Sequence, residues 1–557
     1  MNDGQITALV DKVLGAYGSP AEATVHQAPV PAPAPAPQPA VDDAVARAIA
    51  KVLSDHGSHT QPKGEAKTEV PRWVPSSRRC CWKPAEAPER AADEVIDRIV
   101  AKVLGGTEPA ATGGPADEVG DGIFDSMDEA VEAAAVAQQQ YLLCSMADRK
   151  RFVDGIRAVI LRPETLERLS RLSVEETGMG RYEHKLIKNR LAAEKTPGTE
   201  DLATDALSGD DGLTLVEHSP YGVIGAITPT TNPTETIICN SIGMLAAGNS
   251  VVFSPHPRAT QVSLLTVRLI NQKLAELGAP ANLVVTVGKP SIENTNAMMA
   301  HPKVRMLMAT GGPAIVKAVM STGKKAIGAG AGNPPVVVDE TADIEKAARD
   351  IVNGCSFDNN LPCIAEKEII AVDEIADFLV FAMKKNGAFH LTDPEQLRRL
   401  EALVLTEKGG PKTSCVGKDA AWLLGQIGVA ADDGVRVILI EVPKAHPFVQ
   451  EELMMPVLPL VRVRDVDEAI AVAIEVEHGN RHTAIMHSTN VRKLTQMAKL
   501  IQTTIFVKNG PSYAGIGAGG EGHATFTIAG PTGEGLTSAR SFARRRRCVM
   551  VEALNIR

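Results

Sequence analysis

The sequence predicts an α/β protein built on a doubly wound parallel sheet and preceded by a largely disordered tail. Three observations carry this. Residues 213–338 alternate short β-leaning runs with helical patterns, a Pro/Ala-rich stretch comes before them, and 44% hydrophobic content over 557 residues is that of an ordinary soluble globular chain. A chain of this length holds about two to four domains. The net charge of −9 argues against nucleic acid as the main partner, and no run of 18 apolar residues exists to span a membrane. The start, Met1-Asn2-Asp3-Gly4, lacks the positive stretch of a secretory signal. Eight cysteines without Cys-x-x-Cys pairs suggest reduced cytosolic thiols, no zinc site is readable, and Cys80-Cys81 reads as an incidental pair in a linker.

The tail is expected over residues 1–115. Alternating Pro and Ala from Ala28 to Ala40 form a stiff extended linker, so no core can form there. One pattern nevertheless occurs three times, near 4–15, 43–54 and 93–105. Counted from Lys12, Lys51 and Lys102, apolar residues fall at −6, −3, −2, +1 and +2, the stripe of an amphipathic helix, and Gly15 and Gly105 supply stops. Helices this short are marginal alone, so they should form where the stripe meets a partner surface, and three tethered copies add avidity. Packing back on the same chain is the alternative, which long Pro/Ala linkers disfavour.

A globular body should begin near Phe124. Ser126 and Glu129 make a capping box opening a helix through Ala130, Ala134, Ala137 and Tyr141, and helical patterns continue to about Ala193. Strands are expected at Leu213–His218, Gly222–Ile227, Val251–Phe253, Leu283–Val285, Val304–Met308 and Val336–Val338. Helices are expected over Leu264–Leu277, closed by Gly278 and Pro280, and from Pro313. Nucleotides bind such sheets at the carboxyl ends of strands, and Thr310-Gly311-Gly312-Pro313 offers close backbone approach and a helix N-terminus. That turn lacks the G-x-G-x-x-G spacing and by itself is equally a bare turn.

Cys363 is the candidate nucleophile. It follows a polar turn signal at Asp358, Asn359 and Asn360 and a proline at Pro362, and precedes the β-leaning Ile369, Ile370 and Val372. A cysteine at such a junction can attack a carbonyl carbon while its own N–H stabilises the oxyanion. Spacing alone is equally compatible with a small buried apolar side chain.

Five strings raise Cys363 above that reading: Gly222–Thr236, Ala247–Pro255, Thr310–Gly312, Cys363 itself and Glu451–Val457. In order and rough spacing they resemble the aldehyde dehydrogenase superfamily, over residues 120–557. Through the segments around Pro229–Thr236, Asn359–Glu368 and Arg481–Ser488, the chain looks most like the CoA-acylating propionaldehyde and acetaldehyde dehydrogenases of bacterial microcompartments. The resemblance implies a Rossmann-like cofactor domain, an α/β catalytic domain and a small oligomerisation flap. On this sequence these are residues 116–335 with a flap strand near 213–218, residues 336–525, and a terminal oligomerisation segment over 526–557. It also implies NAD as acceptor, coenzyme A as acyl acceptor, a homodimer or homotetramer, and a place in the cytoplasm within the microcompartment lumen. The tail helices resemble encapsulation peptides that dock to shell proteins. Arg540 and Arg544–Arg547 then belong to the oligomerisation segment and not to a nucleic-acid site.

Departures from the hydrolytic relatives set the expected mechanism. Gly328, in Gly328–Pro334, stands where those enzymes keep the glutamate that activates water, so a CoA thiol is the better acceptor for a Cys363 thioester. Ser254-Pro255 replaces a Lys-Pro pair at the adenosine end, a looser site for the nucleotide ends of NAD and CoA in turn. By resemblance, Thr228, Pro229, Thr230, Thr310, Gly311 and Gly312 hold cofactor, Glu452 matches the carboxylate on the nicotinamide ribose, and His482 helps deprotonate CoA. Asn232 is the candidate oxyanion amide, although an ungapped match puts Thr231 there. Glu366 and Glu368 read as structural or solvated carboxylates. The aldehyde is expected to be short, of two to four carbons. A hydrolytic aldehyde dehydrogenase with an unusual base and a catalytically dead scaffold binding shell proteins are the alternatives.

Overall fold

Helical capping and apolar periodicity organise the first part of the body. The structure is a computed structural model describing residues 121–432 and 434–556; the tail and its three amphipathic segments lie outside the described residues. Ser126 caps the helix Met127–Tyr141 by accepting the Glu129 N–H at 3.3 Å, the forward half of the expected box. Helices Met146–Ile160, Pro163–Thr177 and Tyr182–Lys195 follow. No helix of the described residues is long and apolar enough to cross a membrane.

Two parallel sheets follow where one alternation was read. The strands are β1 (Ile123–Phe124), β2 (Asp205–Gly209), β3 (Gly212–Pro220), β4 (Val223–Ile227), β5 (Ser250–Ser254), β6 (Val284–Val287), β7 (Val304–Thr310) and β8 (Lys325–Ala329). All but β2 and β3 form a six-stranded sheet in the order β1-β6-β5-β4-β7-β8, every pair parallel. The chain leaves β4 toward β5 on one side and returns to β7 on the other, so the strand order reverses beside β4. Val336–Val338, expected within that alternation, belongs instead to β9 (Pro335–Val338) of a second sheet. With β10 (Glu368–Val372), β11 (Ala388–His390), β12 (Val437–Glu441), β13 (Val457–Val463), β14 (Thr483–His487) and β15 (Ile505–Lys508), it makes the parallel order β11-β12-β13-β10-β9-β14-β15.

Period-two packing explains why β4 reads as unbroken apolar sequence. Ile224 and Ala226 face one cluster, with Ile238, Ile242 and Val262 of the helices Pro233–Ala246 and Thr260–Glu276. Val223 and Ile227 face another, with Val131 and Val316 of helices on the opposite side. The first cluster continues through Val336, Ile369 and Ile485 of the second sheet, so one core serves both.

After a short hairpin, β16 (Ile528–Ala529) with β17 (Gly535–Leu536), the chain ends in β18 (Ala543–Val551). β18 pairs antiparallel with all of β3, from Ala543 opposite Pro220 to Val551 opposite Gly212, and β2 closes the other side. The arginine run thus lies in a strand, with Arg545 paired to Asp205 at 3.1 Å. Leu207, Val549 and Val551 stay exposed on this three-stranded sheet.

Asn249 ties these parts together. Its Oδ1 accepts the N–H groups of Tyr221 and Gly222 at 2.8 and 3.1 Å, and its Nδ2 donates to the carbonyls of Met244 and Phe542 at 3.1 and 2.9 Å. The fully buried amide therefore joins the entry to β4, the helix Pro233–Ala246 and the returning C-terminal segment. Asn249→Ala strands these groups without water and is expected to cost about 2–4 kcal/mol, read as a lower urea midpoint with activity per folded molecule retained.

Candidate active site

The carboxyl ends of β4, β5 and β7 face the loops that enter β9, β10 and β13 across a cavity of about 590 Å³. That volume suits a small-molecule site, and its place beside β4, where strand order reverses, is where open α/β sheets bind nucleotides. From the loop after β4 come Thr228, Pro229, Thr230, Thr231 and Asn232; Ser254 and Pro255 end β5; Thr310, Gly311 and Gly312 turn β7 into the helix Pro313–Met320. Leu361, Cys363, Glu452 and Met454 line the cavity from the loops of the second sheet.

Two residues singled out in the sequence do not line it. Gly328 lies within β8, where its N–H donates to Thr532 Oγ1 at 3.1 Å and a Cβ would meet Val316 Cγ1 at 2.6 Å. A side chain there points into the packing of the helix Pro313–Met320, away from the cavity. His482 is buried behind Gly332, where a Cβ would approach the Cys363 carbonyl oxygen to 2.7 Å and the His482 ring to 2.8 Å. One glycine separates the imidazole from the cysteine loop. Its Nδ1 contacts Thr483 Oγ1 at 2.9 Å, its Nε2 has no partner, and burial, reinforced by Lys367, pushes its pKa down to about 3.

The turn before Cys363 is set by three consecutive left-handed residues, Asp358, Asn359 and Asn360, with φ of 50°, 54° and 65°. Asp and Asn tolerate this region better than other side-chain-bearing residues. Each is tied down. Asp358 accepts the Arg181 N–H at 2.8 Å, Asn359 Nδ2 donates to the Gly417 carbonyl at 2.9 Å, and Asn360 Nδ2 donates to the carbonyls of Cys355 and Glu366 at 3.0 and 2.9 Å. Lys367 Nζ donates to Asn360 Oδ1 at 2.6 Å.

Sequence reasoning missed the buried ions behind this turn. Lys188 Nζ donates to Asp358 Oδ2 and to Asn232 Oδ1, both at 2.6 Å, and lies 3.1 Å from Glu235 Oε1. Lys185 Nζ lies 3.0 Å from Asp358 Oδ2 and donates to the Thr231 carbonyl at 2.7 Å. The signal was present: Lys185, Lys188 and Asn189 occupy the inward face of the helix Tyr182–Lys195 together with Leu191 and Ala192. Burial alone would raise the Asp358 carboxyl, but Lys185 and Lys188 outweigh it and hold it at about 2. Burial pushes the Lys188 ammonium down, and Asp358 and Glu235 more than reverse that.

Cys363 is held as a thiol. Burial, reinforced by the Glu452 carboxylate, pushes the Cys363 pKa up to about 12, against the pull of Lys367 and Lys188. Glu452 is itself raised by burial, with Lys367 opposing. Glu366 is structural: it accepts the Ser512 N–H and hydroxyl at 2.8 and 2.7 Å, and burial raises it to about 7. Glu368, fully buried with both oxygens unpartnered, is raised well above the carboxylate range by desolvation.

The cavity's polar edge suits a nicotinamide dinucleotide. Thr228 Oγ1 and Glu452 Oε1 are buried without partners, the Thr310–Gly312 turn presents backbone at a helix start, and Ser254 bonds Thr295 at 2.7 Å at the end of β5. Among the described residues no group of three or more His, Cys, Asp or Glu could hold a metal ion.

Comparison with known proteins agrees with this geometry. The model of the aldehyde dehydrogenase family matches residues 102–399 and 415–530. Propanal dehydrogenase (CoA-propanoylating) from Salmonella typhimurium is 52% identical over 466 residues, 84% of this chain and 99% of that protein. A crystal structure of Rhodopseudomonas palustris propionaldehyde dehydrogenase, with bound CoA and an acylated cysteine, shares 81% identity and a TM-score of 0.78, covering 79% of this chain and 100% of that one. The propionaldehyde dehydrogenase of the Clostridium phytofermentans fucose utilisation bacterial microcompartment shares 55% identity and a TM-score of 0.77, over 78% and 100%. By its match to the family model and to these relatives, the chain belongs to the aldehyde dehydrogenase family.

Proposed function

We propose that this enzyme oxidises a short-chain aldehyde, propionaldehyde or acetaldehyde, to its acyl-CoA with NAD, through a thioester on Cys363. One observation carries the reading: Cys363 and Asn232 line one cavity in which, among the described residues, Glu452 is the one lining carboxylate. The Cys363 sulfur adds to the carbonyl carbon once its proton has left, and the oxygen becomes an alkoxide that the Cys363 N–H and Asn232 Nδ2 can hold. NAD supplies the hydride acceptor when bound. Thr310, Gly311 and Gly312 would hold its central part, Glu452 its nicotinamide ribose, and Ser254 and Pro255 its adenosine end. After oxidation the acyl group rests on Cys363 as a thioester, and the CoA thiolate displaces the sulfur. His482 as base for that thiol needs the Gly330–Gly332 loop to shift, because Gly332 stands between them. A CoA thiolate is a far better nucleophile toward a thioester than water, which favours acyl transfer over hydrolysis. The names and bound ligands of the relatives above support the same reaction.

The setting belongs to the same proposal. The three amphipathic segments on Pro/Ala tethers, with a related structure that comes from a microcompartment, support docking of residues 1–115 to shell proteins and work within a bacterial microcompartment. The exposed apolar residues of β2 and β18 support a homodimer or homotetramer built on the three-stranded sheet. The cofactor, catalytic and terminal regions are then 116–335, 336–525 and 526–557.

Three outcomes are expected. Without CoA, aldehyde and NAD give a single burst of NADH matching the active sites, and CoA restarts turnover; Cys363→Ala gives none. Sustained NADH with free carboxylic acid and no thiol would promote the hydrolytic reading. Because the free thiol is raised to about 12, iodoacetamide should alkylate Cys363 about tenfold faster per pH unit between roughly pH 7 and 9, read by mass spectrometry of the Cys363 peptide. Deleting residues 1–115 should leave turnover in solution nearly unchanged and abolish co-purification with shell proteins; lost activity would show that the segments pack on the catalytic body.

A further inference from the structure

We infer that Lys188 is a positioning residue for the oxyanion amide, fixing which end of the Asn232 side chain faces the cavity. The inference rests on the aldehyde oxidation proposed above. An amide carries an acceptor at one end and two donors at the other, and only the donor end stabilises an alkoxide. Nothing in the residue type decides which end points where.

Here a cation decides it. Lys188 Nζ donates to Asn232 Oδ1 at 2.6 Å, and the flipped amide would turn its own N–H groups against an ammonium that has no lone pair to accept them. With Oδ1 held on the protein side, Nδ2 turns toward the cavity edge, where it donates to Thr231 Oγ1 at 3.2 Å, and both residues line the cavity with Cys363. The ammonium cannot drift, because Asp358 Oδ2 at 2.6 Å and Glu235 Oε1 at 3.1 Å hold it from other sides. Asp358 belongs to the left-handed turn before Cys363 and is held by Lys185 as well, at 3.0 Å, so of the two 2.6 Å contacts of Lys188 only the one to the amide has no second lysine behind it. A bond from a cation also draws electron density from the amide oxygen, which makes the N–H groups stronger donors as negative charge develops.

The test uses the full chain and the charge-balanced pair Lys188→Met with Glu235→Gln, which leaves Lys185 and Asp358 matched. The pair should lower kcat for aldehyde oxidation about 10²-fold, the usual cost of one oxyanion donor, with the aldehyde KM little changed. Asn232→Ala should lose as much, and adding it to the pair should cost nothing more, because Lys188 acts through Asn232. Losses that multiply, or a pair that keeps wild-type kcat, would overturn the inference. If the pair does not fold, Asn232→Asp decides: its carboxylate accepts Lys188 in the same place but offers no N–H, so kcat should fall at least as far, and near-wild-type kcat would refute the assignment. Wild-type NADH formation from aldehyde is the separate control, since its absence would refute the proposed reaction and not the role of Lys188.

Discussion

The ion pair between Lys188 and Asp358 is the contact on which the catalytic geometry rests. Both groups are fully buried, and desolvating an isolated ion costs several kcal/mol. Contacts of 2.6 Å between them, 3.0 Å from Lys185 to Asp358 and 3.1 Å from Lys188 to Glu235 offset that cost by balancing two positive against two negative charges. A helix-borne cation thereby reaches the turn before Cys363, far along the chain, and the N-cap of the helix Pro233–Ala246. Breaking such a cluster at one member generally costs about 3–5 kcal/mol. The turn holds three left-handed residues, each costing about 1–3 kcal/mol, and the buried charges at Asp358 act with the hydrogen bonds of Asn359 and Asn360 to hold it.

Two sheets divide the work. The six-stranded sheet supplies carboxyl-end loops, rich in backbone N–H groups and small residues, and the seven-stranded sheet supplies the loops carrying Cys363 and Glu452. Their meeting walls the cavity, and burial there has two opposed consequences for the proposed reaction. It raises the Cys363 thiol to about 12, and it would strengthen any dipole aimed at a developing alkoxide.

Several elements were readable and several were not. The strands β4, β5 and β7 and the helix from Pro313 follow from apolar runs bounded by Gly and Pro. β8 was missed because Lys-Ala-Ile-Gly-Ala has little strand character; it is a strand because β7 presents an open edge to pair with. The assignment of β9 to a second sheet could not be read locally, since a buried parallel strand looks the same in either sheet.

Residue types and their order alone determined the doubly wound class, the candidate nucleophile at Cys363, the candidate cofactor turn at Thr310–Gly312 and the likeness to acylating aldehyde dehydrogenases. Those features are local, written in periodicity, turn residues and contiguous strings. Only the tertiary structure decided that Glu452 and Asn232 share a cavity with Cys363, that Gly328 points away from it, and that His482 lies behind Gly332. It also decided that Lys185 and Lys188, on an inward helix face, are buried and paired with Asp358. The physical reason is that burial and pairing are properties of three-dimensional neighbours. A lysine's environment depends on a carboxylate about 170 residues away, and no window of sequence contains both.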